Sequence, residues 1–323
     1  MRYLDPKADL LFKKVFGEQK DIVKNFLNAM LPLSEDEQIT EINYETPELS
    51  PISPEHKFSI VDVHCKDNNG RMFLVEMQLI WSDEFYSRVV FNSSKAYVSQ
   101  AKVGFKYANL KPVYSLNLVN KIFMPDKEDY YHHFRIVHDK YTEAVIKDLQ
   151  YIFIELPKFK AEDYNAKKMQ VLWLRFLTEI NEETKKVPEE LLKVPEVRRA
   201  IETVEEASLT DIERYAYDKF WDSVRNEIAI VDGERKKARE EALREGLEEG
   251  LAKGLEEGLA KGLTKGRQEG RQEGRQEGRQ EGRQEGKSER NRELIQDWKK
   301  EGRSVEEIAI LLRLSIEEVS SLY

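Results

Sequence analysis

The chain has 323 residues, 40% of them hydrophobic and 35% charged, with a formal net charge of −9. That length suffices for a sizeable core and predicts about two domains, while the acidic balance argues against a generic polyanion binder. The single cysteine, Cys65, excludes a disulfide framework, and no window approaches the roughly 18 continuous apolar residues of a membrane span.

The opening MRYLDPKADLLFKKVFG is charged throughout and lacks the apolar core of a signal peptide, so a cytoplasmic protein with no membrane partner is expected. Residues 7–31 then repeat apolar positions at helical spacing, among them Leu11, Val15, Phe16, Ile22, Phe26 and Met30. This predicts two helices, broken near Gly17 and stopped by Pro32. An acidic stretch without bases follows, from Glu35 to Glu55, and Pro47, Pro51 and Pro54 mark it as an irregular connection.

Two predicted strands come next, KFSIVDVHCK and RMFLVEMQLIW, separated by DNNG. With Asn68-Asn69-Gly70 as a three-residue loop and Gly70 left-handed, Asp67 pairs with Arg71. That register places Asp62 opposite Glu76 and Ile60 opposite Gln78, and sets Asp62, Glu76 and Gln78 on one face. Residues 83–103 read as a helix with Arg88, Asn92, Lys95, Ser99 and Lys102 on one stripe. No acid occurs between Glu84 and Asp126, so the stripe is a candidate DNA-backbone contact through Arg88, Lys95 and Lys102, or else a solvated helix face. PVYSLNLVNKIFM, YYHHFRIVH and LQYIFIEL read as further strands, and residues 162–232 as helical. This order fits a mixed sheet flanked by helices.

From Gly246 to Gly286 glycine recurs at every fourth residue, first in GLEEGLAK units and then in GRQE units. Each glycine costs a helix about 1 kcal/mol relative to alanine. Two readings stand, a self-associating helix supported by Leu247 to Leu263, or a solvated linker. The last segment predicts two short helices with Ser304 and Ser315 as N-caps, each three residues before a glutamate. It resembles a helix-turn-helix in layout, or serves as a helical end-cap. The predicted organisation is 1–155, 156–232 (helical), 233–290 (repeat tail) and 291–323 (small helical element).

Two carboxylates facing each other inside a protein repel and pay for burial. A divalent cation removes both problems, because Mg²⁺ is held by one or two carboxylates and keeps water and phosphate oxygens as its other ligands. It also activates water for phosphodiester hydrolysis, and Gln78 on the same face is a candidate to orient that water. The competing reading is a hairpin whose carboxylates reach solvent at a sheet edge. His64 shares the Asp62 face, and His132 and His133 point to opposite faces of a strand, which makes them poor joint ligands.

DPKADLLFKKVFG, NFLNAML, VDV and VEMQ, followed by FYSRVVFNSSKAYVSQ, resemble the PD-(D/E)XK nuclease superfamily. Within it they are most similar to the bacterial recombination-promoting nuclease and transposase family, over about residues 1–155. The resemblance implies an α/β fold with a restriction-endonuclease-like αβββαβ core. It also implies a metal-dependent DNA endonuclease using Mg²⁺ or Mn²⁺, with a part in recombination or mobile-element biology. Carried over by position, the first acid of the motif is Asp62, the second is Glu76, and the usual lysine position is Gln78. Asp9 on the first helix is the candidate additional metal ligand. The sequence departs from the pattern in having no proline before Asp62 and glutamine for lysine, and Arg88 or Lys95 is the candidate for the missing charge. The alternative function is a catalytically inactive DNA-binding or assembly protein that oligomerises through its tail.

Overall fold

The computed structural model describes residues 2–49, 59–82, 84–101, 103–161 and 168–323. Helices α1 (Asp9–Phe16) and α2 (Lys20–Met30) form where apolar residues recur at helical spacing. Leu11, Phe12, Val15 and Phe16 of the first and Ile22, Val23, Phe26, Leu27 and Met30 of the second are buried. Gly17 closes α1, its N–H donating to the Lys13 carbonyl at 2.7 Å. The second helix ends at Leu31, whose extended backbone is the one allowed before Pro32.

A six-stranded sheet follows, built from β1 (Ile42–Tyr44), β4 (Val63–Asp67), β5 (Met72–Gln78), β6 (Val113–Val119), β7 (Tyr131–Val137) and β8 (Val145–Glu155). Its order is β1-β4-β5-β6-β8-β7. The β5–β6 and β6–β8 pairs are parallel and the rest antiparallel. A parallel neighbour requires a crossover, and α3 (Glu84–Ser99) provides it between β5 and β6. Every position of β6 is buried, as expected for a central strand covered on both faces. A separate two-stranded ribbon pairs β2 (Glu48–Leu49) with β3 (Ser59–Ile60).

Strand alternation divides the sheet's side chains between two layers. Phe73, Val75, Leu116, Leu118, Ile152 and Ile154 join the core of α1, α2, α4 (Lys168–Glu179), α5 (Glu189–Leu192) and α6 (Pro195–Thr203). Its centre is a cluster of Phe16, Phe26, Trp173 and Phe176 rings. Leu74 and Val113 pack instead with Ala96, and Val119 and Phe153 with Phe85 and Val89, all on the α3 side. Glu76 and Gln78, in phase with Leu74, therefore face α3.

The helical residues after 155 are integral to the same body. Trp173, Leu177, Leu191, Val197, Ile201 and Tyr217 lie in the core that holds α1 and the sheet. The chain divides into two compact units, Met1–Asp232 and Gly233–Tyr323. Helix α7 runs Asp211–Lys300, and in the second unit α8 (Val305–Leu312) and α9 (Ile316–Leu322) bury Ile308, Ala309 and Val319 with Ile295. Ser304 and Ser315 both make reciprocal capping boxes, with Glu307 and Glu318.

The hairpin that sets the register is locked at its turn. Gly70 has φ 83°, a left-handed conformation that favours glycine. The buried Asp67 carboxylate accepts the N–H groups of Asn69 (3.0 Å) and Arg71 (2.8 Å) and the Arg71 Nε (2.7 Å). Arg71 in turn donates to the Glu37 carbonyl at 2.7 Å. The ladder runs from Lys66↔Met72 to Val63↔Val75, a register that carries Asp62 to Glu76. It does not continue to Ile60 and Gln78 as the uninterrupted hairpin predicts. The chain bends at Asp62, Val61 donates to the Pro47 carbonyl at 3.1 Å, and Ile60 pairs with Glu48.

Candidate active site

Where the β4–β5 ladder opens, a side chain replaces the missing backbone partner: the Met77 N–H donates to Asp62 Oδ2 at 2.7 Å. This bond fixes the Asp62 carboxylate beside Glu76 and explains why the strand pairing ends there. Glu76 is held from the other direction by α3, whose Asn92 Nδ2 donates to Glu76 Oε1 at 3.4 Å. Asn92 is itself buried, and its Oδ1 has no hydrogen-bond partner. A buried acceptor oxygen left unpaired on a side chain that bonds a carboxylate costs stability unless a donor or cation completes it.

Two cations flank the pair. Lys13 on α1 bonds Asp9 Oδ1 at 2.7 Å and lies 3.9 Å from Asp62 Oδ1. Burial works against its charge, but Asp9, Asp62 and Glu76 outweigh burial and hold its pKa above the ordinary value. Arg88 on α3 donates to Gln78 Oε1 and sits 4.8 Å from the centroid of the Phe85 ring. These charges do not fully compensate the acids. Burial raises the Asp62 pKa, with Asp9 adding to the rise, against the Met77 N–H, Lys13 and Arg88. Burial and then the Asp62 charge raise Glu76, against Arg88, Asn92 and Lys13. Without a further cation the pair thus retains protons at pH values where ordinary carboxylates are ionised.

A cleft of about 660 Å³ opens on this side of α3, with Arg88, Asn92, Phe91 and Ile60 among its walls. Ile60 and Phe91 are exposed there.

The residues expected from the sequence separate into three groups. Asp62, Glu76, Gln78 and Arg88 lie around one point. Asp9 stands next to it, but its carboxylate is engaged by Lys13. Among the described residues no three His, Cys, Asp or Glu side chains gather closely enough to hold a metal ion, so Asp9 does not complete a three-acid set. Lys95 is turned away, its Nζ donating to the Leu49 carbonyl at 2.9 Å and Ser59 Oγ at 3.3 Å. These bonds tie it to the β2–β3 ribbon. Lys102 lies outside the described residues. Gln78 is also more constrained than a free amide, because its Nε2 donates to the Ile80 carbonyl while its Oε1 accepts from Arg88. His64 donates from Nδ1 to the Thr46 carbonyl at 2.8 Å. His132 and His133 bond Glu155 (2.9 Å) and Gln150 (3.0 Å) and do not converge.

Sequence reasoning missed Lys13 and the role of Asn92. The signal for Lys13 was its i,i+4 spacing from Asp9; for Asn92 it was its place one turn beyond Arg88 on the stripe facing β5.

A family model described as PD-(D/E)XK nuclease family transposase matches residues 6–234, more than half of the chain. The chain belongs to this family. No curated protein and no solved structure matches it. The match runs past residue 155 through α4–α6 and into α7, the same helices that share the core of the sheet. The match thus extends well beyond the strand-rich segment.

Proposed function

We propose that the chain is a divalent-metal-dependent DNA endonuclease, acting in recombination or mobile-element biology, with Asp62 and Glu76 as its metal ligands. The observation that carries this reading is the pair itself: two largely buried carboxylates across the open end of a hairpin, both shifted toward protonation by burial and by neighbouring acids, beyond what Lys13 and Arg88 offset. The donor set fits Mg²⁺ or Mn²⁺, since two carboxylates and the unpartnered Asn92 carbonyl are hard oxygen ligands that leave room for water and phosphate. When bound, such an ion polarises the scissile phosphate and acidifies a water for in-line attack.

The chain's own residues prepare the rest. The Met77 N–H orients Asp62 and Asn92 orients Glu76, so neither carboxylate must be reorganised when substrate arrives. Lys13 and Arg88 supply the positive charge that the glutamine at position 78 does not. Lys13 approaches from α1 and Arg88 from α3, and both are placed to draw non-bridging phosphate oxygens toward the acids. Gln78 acts through Arg88 as a positioning residue, because both ends of its amide are already bonded.

The test is supercoiled plasmid incubated with wild type and Glu76→Ala, in Mg²⁺ and in chelator. Cleavage by wild type only, and only with metal, is expected. Equal cleavage by both proteins would assign the chemistry elsewhere, and a folded wild type that leaves plasmid intact would favour a DNA-binding scaffold.

A further inference from the structure

The repeat tail holds an unusual arrangement of charge. Between Gly266 and Gly286 each four-residue unit is Gly-Arg-Gln-Glu, and the segment lies within α7. At about 100° per residue, with glycine at zero, arginine stands about 100° around the axis, glutamine about 200° and glutamate about 300°. The glycine line is thus flanked by Arg267, Arg271, Arg275, Arg279 and Arg283 on one side and by Glu269, Glu273, Glu277, Glu281 and Glu285 on the other.

Within one helix this pattern is unfavourable. Every i,i+4 neighbour is of like charge, Arg with Arg and Glu with Glu, and no i,i+3 pair joins opposite charges. Accordingly none of these arginines has an ion-pair partner, whereas the preceding segment forms Lys253–Glu249, Lys261–Glu257 and Lys265–Glu269 pairs. Two continuous stripes of opposite sign, the arginines unpaired and the glutamates unpaired beyond Glu269 among the described residues, are complementary to a second copy of themselves.

The geometry points to self-association of this helix as a parallel pair, glycine line to glycine line. In a parallel pair the two-fold axis runs along the helices, and rotation about it sets the Arg stripe of each copy against the Glu stripe of the other. In an antiparallel pair the two-fold axis is perpendicular to the helices and sets Arg against Arg and Glu against Glu. Charge therefore selects the parallel arrangement. Close approach is open, because beyond the adjoining residues and the helix's own backbone nothing lies within 4 Å of where a Cβ would stand on any glycine from Gly246 to Gly286. Each glycine advances about 40° beyond a full turn, so the seam winds right-handed. The identical GRQE units do not distinguish one register from a shift of four residues. Leu247, Leu251, Leu255, Leu259 and Leu263, all 64–74% exposed, occur only in the earlier half, so a shift of four residues leaves one leucine of each copy without a counterpart.

Resting on the nuclease reading, the consequence is that two nuclease units are carried in from the same end of the pair, as two cuts on opposite strands of one duplex require.

Two measurements on the full chain test the pairing without relying on cleavage. In the first, Gly246→Cys and Gly286→Cys are oxidised separately and together; Cys65 is fully buried and stays apart from the reaction. Each variant alone is expected to give a disulfide-linked dimer. Dimer that forms only in the mixture, between positions 246 and 286, would mean antiparallel pairing and overturn the proposal. In the second, light scattering follows a variant with all five arginines changed to glutamate and another with all five glutamates changed to arginine. Each is expected to be monomeric alone and dimeric when mixed, and wild type to dissociate at about 1 M salt. A wild type monomeric at low salt would refute the pairing. Pairing without plasmid cleavage would refute the nuclease reading alone.

Discussion

Glu76→Gln removes one charge from the carboxylate pair while keeping its shape, and its effect on stability should change sign with metal. In metal-free protein both acids titrate above their ordinary range, chiefly because burial disfavours their ions. A folded pKa above the unfolded one gives stability that is fully present below about pH 4 and is lost as pH rises through the folded values. One pKa unit corresponds to about 1.4 kcal/mol. In chelator at about pH 8 the glutamine variant should therefore be more stable than wild type by about 1–3 kcal/mol, and the difference should vanish toward about pH 4. Mg²⁺ should reverse the order, since a ligand at ten times its Kd stabilises wild type by about 1.4 kcal/mol and the variant hardly at all. Urea denaturation at both pH values, with and without Mg²⁺, measures all the terms. A variant less stable than wild type in chelator at the higher pH, or equal stabilisation of both proteins by Mg²⁺, would refute the reading of these carboxylates as an uncompensated pair.

Other outcomes follow from the same contacts. Mg²⁺ affinity should rise between about pH 5 and pH 8, because binding must displace protons from two acids with raised pKa values; a flat calorimetric profile would contradict this. Lys13→Met should tighten Mg²⁺ binding by removing a competing cation near Asp62, yet slow cleavage at least about tenfold, and weaker binding would remove Lys13 from the site. Asp67→Ala should cost about 3–5 kcal/mol, because it strands the Arg71 guanidinium and two turn N–H groups; a loss under about 1 kcal/mol on chemical denaturation would show that the turn does not hold the register. Ser315→Ala should destabilise the packing of α8 and α9 by about 1 kcal/mol, read as lost helicity on heating of the full chain.

Much of this protein is local and so was legible in its residues. The helical spacing of Leu11 to Met30, the stop at Pro32, the left-handed Gly70 and the two serine caps each depend on a few neighbouring residues whose conformational preferences act without the rest of the chain. The facing of Asp62 and Glu76 belongs here too, since a three-residue turn and a two-residue period determine it. Tertiary structure decided what those residues meet. Ile60 left the hairpin because residues distant in sequence, Pro47 and Glu48, offered its segment other backbone partners. Lys95 was drawn into bonds with the β2–β3 ribbon, which no spacing along a single helix reveals, whereas the Asp9–Lys13 pair is an i,i+4 contact within α1. Lys13 and Asn92 reached the carboxylates from α1 and α3 because each helix packs on its own layer of the sheet beside the open end of the hairpin. Periodicity fixes which face a side chain occupies, but its partner and the balance of charge around it depend on contacts between segments far apart in the chain.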